Sequence, residues 1–140
     1  MSSWGNASVV DDGIKAAKRF QGEGINSVAI TSVFSPLTSE CEERAAEIFR
    51  EISPDIKLTL SHNLGRVGLL ERENAALLNA SLRRLAESTT LAFTEALHTS
   101  GIKAPLYLTQ NDGTVMRADQ AEAFPVYSFS SGPTNSMRGA

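Results

Sequence analysis

Three short stretches and two histidines carry groups that could do chemistry. Asn111-Asp112-Gly113 follows the apolar run APLYLTQ. An amide, a carboxylate and an exposed backbone meet there, and loops at the carboxyl ends of strands are where α/β sheets place ligands. The same residues also spell a plain tight turn, since Asp-Gly favours positive φ. Ser131-Gly132-Pro133 lies in the closing SSGPTNSMRGA. A small-residue turn leads there into a helix start, with Ser131 as a candidate cap and Pro133 at an early helical position. Free N–H groups and the helix dipole make such a start hospitable to anions. A structural turn is the simpler reading. Glu71-Arg72-Glu73 opens a long helix beside a glycine-bearing loop, and acids in a first turn are expected as dipole and capping partners before catalysts. His62 stands in the loop after a strand, with no nucleophile motif beside it. His98 reads as a structural cation in the last turn of the long helix. No P-loop, G-x-G-x-x-G, G-x-S-x-G or H-E-x-x-H pattern occurs, so spacing alone assigns no catalytic residue and no metal ligand.

The elements that must position these residues alternate. Val10 to Phe20 follows a helical period opened by Asp11 and Asp12 and closed by Gly22 and Gly24. Residues 1–9 read as a flexible lead-in. INSVAITSVF, residues 25–34, is a β-branched run of the kind buried on both faces. Ser39 and Glu42 spell a capping box for the next helix. Cys41, Ala45, Ile48, Phe49 and Ile52 form its inner stripe, and Glu42, Glu43, Glu47, Arg50 and Glu51 its solvated face. Residues 56–61 read as a short alternating strand. A long helix is predicted over 69–98, roughly 45 Å at about 1.5 Å per residue. Its inner side is read from Leu78, Leu82, Leu85 and Phe93, and Gly101 caps it. Strands at 104–110 and 126–130 and a final helix complete the order. This is the pattern of an α/β fold with a mostly parallel sheet and flanking helices.

The totals narrow the partners. At 140 residues the chain is one domain or part of one, and 41% hydrophobic residues supply a core. A net charge of −3 lacks the basic footprint of a nucleic-acid binder, and no apolar run is as long as a membrane span. One cysteine, Cys41, forms no internal disulfide. It reads as a small buried hydrophobe in a reducing, cytoplasmic setting.

SHNLGRVGLLERENAALLNASL, PLYLTQNDGTVM and SFSSGPTNSMRGA resemble consecutive blocks of the hydantoinase/oxoprolinase family, the A-type subunits of ATP-dependent hydantoinases. INSVAITSVFSP with ERAAEIFRE resembles the block upstream, so the likeness covers about residues 10–140. It implies an actin-like ATPase of RNase H-like topology, with two lobes that clasp ATP and a divalent metal (Mg or Mn). It implies ATP-dependent hydrolysis of cyclic amides such as hydantoin or 5-oxoproline, beside a B-type subunit or domain. A homo-oligomer is left open. The family's D-x-G-G-T phosphate loops are missing from this sequence. The expectation is therefore an internal fragment, with residues 10–126 the later part of the first lobe and 127–140 the start of a connector into the second. Such a fragment would hold no cofactor and catalyse nothing alone. By motif, Asn111, Asp112 and Gly113 match the family's Q-[SN]-[DN]-G turn, and Ser131, Gly132 and Pro133 its SGP. Both would face the interlobe cleft and its nucleotide. Glu71, Arg72 and Asn79 match a block without an assigned role. Thr134-Asn135-Ser136 departs from the commoner SGPAAG form, and GLLERENA from a tyrosine-bearing variant, which leaves the substrate undecided. The rival expectation is a non-catalytic interaction module that docks through the long helix.

Overall fold

A computed structural model describes residues 7–65 and 68–139 of the chain. Arg66, Val67 and Ala140, and residues 1–6 of the expected lead-in, lie outside the described residues. Two compact units divide the chain at Ala80/Ser81.

In the first unit, α1 (Ala7–Gly22) leads to β1 (Ser27–Ile30), α2 (Glu40–Ile52) and β2 (Lys57–Leu60). α1 includes Ala7–Val9, which the sequence assigned to the lead-in, so Asp11 and Asp12 sit inside the helix rather than at its start. β1 and β2 pair in parallel, with Ser27 opposite Lys57 and Ile30 opposite Leu60. Side chains alternate across a strand. Val28, Ile30 and Leu58 pack with Ala17, Phe49 and Ile56 of the core, and Phe20 meets Phe49 with ring centroids 5.9 Å apart. The opposite strand face meets α3 (Leu69–Thr99). Ser27 Oγ donates to Ala80 O at 2.8 Å, and Asn79 Nδ2 to Thr59 Oγ1 at 3.0 Å. Helices thus flank both faces of this small sheet. β1 is shorter than the apolar run 25–34 because the chain turns before Pro36, where Leu37 N and Thr38 N both donate to Phe34 O.

α3 runs 31 residues, as its periodicity predicts. Gly101, at φ +72°, ends it, and Ile102 N donates back to Leu97 O at 2.9 Å. Its buried line differs from the predicted one. Arg72, Ala76, Asn79, Ala80 and Thr90 are buried, whereas Leu85 and Phe93 are more than half exposed.

The second unit corrects the expectation of one mostly parallel sheet. β3 (Tyr107–Thr109) and β4 (Val115–Arg117) form a separate antiparallel hairpin, with Leu108 opposite Met116. α4 (Ala118–Ala123) follows, and then a 3₁₀ turn over Pro125–Tyr127 where residues 126–130 were expected to be a strand. Pro125 brings no N–H for a ladder. Its carbonyl instead accepts from Ser128 N at 3.0 Å and Phe129 N at 3.2 Å. α5 (Gly132–Gly139) closes the described chain.

Candidate functional site

The hairpin explains how Asn111-Asp112-Gly113 is held. Gly113 N donates to Gln110 O at 3.0 Å, closing a four-residue turn, and Gln110 N donates to Thr114 O at 2.7 Å. Gly113 takes φ +83°, the left-handed region glycine enters without strain. A Cβ there would lie 2.5 Å from Arg138 Nε. Asp112 Oδ1 accepts from Thr114 N at 2.8 Å and Thr114 Oγ1 at 2.7 Å. Those two donors, and then the nearby Arg138 charge, hold the Asp112 carboxyl below its ordinary range despite a small opposing cost of burial.

α5 is tied to this turn. Thr134 Oγ1 donates to Asn111 O at 2.8 Å, Arg138 Nη1 to Gly113 O at 2.8 Å, and Asn135 Nδ2 to Thr109 Oγ1 at 2.8 Å. Asn111 N donates to Tyr127 O at 2.6 Å. Ser131 N reaches Ser128 O at 3.3 Å, and Ser131 O accepts from Asn135 N at 3.0 Å. The two stretches singled out in the sequence are therefore neighbours. The contacts run through Thr134 and Arg138 of α5 rather than through Ser131, Gly132 and Pro133 themselves.

A second cluster, in the first unit, departs from the sequence reading. Glu42 is fully buried, not part of a solvated face, and Ser39 makes no side-chain cap bond. The Glu42 carboxylate draws donors from two loops at the carboxyl ends of β1 and β2. Oε1 accepts from Ser32 N at 3.0 Å, from Ser35 Oγ and from Ser61 Oγ at 2.5 Å. Oε2 accepts from His62 N at 3.0 Å and faces His62 Nδ1 at 2.8 Å. Burial pushes the Glu42 carboxyl up. The donors from Ser35, Ser61 and His62 together outweigh it and hold the group below the ordinary glutamate range. Arg72, 3% exposed, completes the cluster: Nε donates to Ser61 Oγ at 2.9 Å and Nη2 to Ser32 O at 2.6 Å. Sequence reasoning missed Glu42 although a signal was present. It stands four residues before Ala46 and seven before Phe49, on the buried stripe. Arg72 has the same relation to Ala76 and Asn79.

Glu71 is exposed, its carboxylate folded over Gly68 at the start of α3, in keeping with a capping residue. Cys41 is half-buried. No group of three His, Cys, Asp or Glu able to hold a metal ion is present among the described residues. No helix among them is long and apolar enough to cross a membrane.

Comparison with known families agrees with the blocks quoted from the sequence. Residues 10–53 match the hydantoinase/oxoprolinase N-terminal region, and residues 72–140 match the hydantoinase/oxoprolinase model. No curated protein and no solved structure matches the chain. One matched segment holds Glu42 and the other holds Arg72, the hairpin turn and α5. With two models of one family matched in order along its length, the chain belongs to the hydantoinase/oxoprolinase family.

Proposed function

We propose that this chain forms part of an ATP-dependent hydrolase of cyclic amides, of the hydantoin or 5-oxoproline type, within an actin-like fold. The observation that carries the reading is the junction of the Asn111-Asp112-Gly113 turn with α5. The family resemblance assigns both stretches to one nucleotide-facing cleft, and Thr134 and Arg138 fasten them together. Asp112, Arg138 and the N–H groups of Gly132 and Thr134 would make one wall of a phosphate site. ATP held there would supply the phosphoryl group that activates the amide oxygen, with a divalent ion offsetting its charge. One carboxylate suits an ion carried mainly by phosphates and water. Without D-x-G-G-T loops, the chain alone would be inactive and would need the rest of such an enzyme, including a B-type partner.

The test is a chimera in which residues 10–140 replace the matching segment of a complete family member. Retained ATP-dependent opening of hydantoin or 5-oxoproline, lowered at least tenfold by Asp112→Asn, is the expected outcome. A folded chimera that opens neither ring would overturn the reading. A second reading, docking through α3, has its own observation: Leu85, Leu91 and Phe93 are 63%, 58% and 54% exposed. Full ring opening in a chimera with all three replaced by serine would count against it.

A further inference from the structure

His62, its side chain 18% exposed, lies between a buried carboxylate and a half-exposed one. Nδ1 lies 2.8 Å from Glu42 Oε2, and the backbone N–H of the same residue donates to that oxygen at 3.0 Å. A buried carboxylate with both oxygens occupied fixes the ring plane, as second-sphere carboxylates do for functional histidines. The far nitrogen, Nε2, lies 3.3 Å from Glu43 Oε1. The two contacts differ in kind. The Glu42 side chain is fully buried, whereas Glu43, on the surface of α2, has a side chain 46% exposed. Glu43 can therefore leave for water at little cost, while Glu42 cannot. Ser61 and His62 directly follow β2, so the ring stands at the carboxyl edge of a parallel strand pair, where α/β sheets bind ligands.

We propose that His62 Nε2 is a carboxylate-reading position for a carboxylated cyclic amide, with Glu42 as its positioning residue and Glu43 as a displaceable occupant. This rests on the cyclic-amide reading and adds a choice within it. A ring bearing a carboxylate replaces Glu43 oxygen for oxygen. A ring without one, such as hydantoin, offers no anion in exchange. Arg72, a cation of the same cluster, is engaged by Ser61, Ser32 and Gly68.

The experiment is an NMR titration of the full chain with 5-oxoproline and, separately, hydantoin, following the imidazole C–H signals. The chain has two histidines, and His98→Gln assigns them. Expected are saturable shifts of the His62 signals with 5-oxoproline and at least fivefold weaker binding of hydantoin. Glu43→Ala, a surface change, should tighten 5-oxoproline about twofold to fivefold, the scale of an exposed ion pair. Glu42→Gln should broaden or move the ring signals and weaken 5-oxoproline while leaving amide dispersion intact. Equal response to both rings, no response at His62, or no tightening in Glu43→Ala would each overturn the proposal. A chimera that opens cyclic amides while His62 stays silent would separate failure here from failure of the proposed function.

Discussion

Glu42 and Asp112 are both carboxylates held below their ordinary range, and their settings are opposite. Glu42 is sealed among donors from two parts of the chain, the loop after β1 and the turn after β2, and Arg72 of α3 braces Ser61, one of those donors. Asp112 stands on an exposed turn with its donors two residues away. Removing Glu42 leaves several buried polar groups without an acceptor. Removing Asp112 leaves its partners in water. One carboxylate therefore organises structure, and the other stays open to solvent, although their titration shifts point the same way.

The largest expected effect breaks the buried side of this comparison. Glu42→Gln puts an amide among groups that all donate, and it should cost about 2–4 kcal/mol in urea unfolding at pH 7. A loss below about 1 kcal/mol would mean that the cluster is solvated in solution. The pH dependence sharpens the point. Because the folded carboxyl lies below its unfolded value of about 4.3, its contribution is fully present above that value. It is lost as pH falls through the folded one, so wild type and Glu42→Gln should converge in stability under acid. Next in size is Gly113→Ala. Positive φ and the approach of Arg138 together should cost about 1–2 kcal/mol. Part of that should return when Arg138→Ala is added, a coupling readable by a double-mutant cycle. Smallest is Asp112→Asn, which should leave the urea midpoint unchanged, in contrast to its effect on turnover in the chimera.

Much of the helical framework was legible in the sequence. Leu69 opens α3 as the periodicity places it, and Gly101 closes it. The Asn111-Asp112-Gly113 turn was legible too, because Asp-Gly chemistry is local. What failed was non-local. Glu42 has the same charge as its helix neighbours Glu43 and Glu47, so a reading by residue type put it in water. Only the donors from residues 32, 35, 61 and 62 justify its burial, and no local window contains them. The expected strand at 126–130 failed for a local reason, Pro125, which composition hid behind an apolar run. β4 went unread because three residues, VMR, carry too little alternation to announce a strand. The neighbourhood of the turn and α5 came from family likeness, since Thr134 and Asn111 are 23 residues apart.

Those separations also bear on the order in which the chain acquires its structure. The Glu42–Arg72 cluster joins residues 7, 10, 19, 20 and 40 positions apart. Most of its bonds require long loops to be closed before any of them is rewarded. Such contacts form after local helices and turns are in place. The cluster is thus a late fastening: it contributes little to the rate at which the chain folds and much to the barrier that keeps it from coming apart.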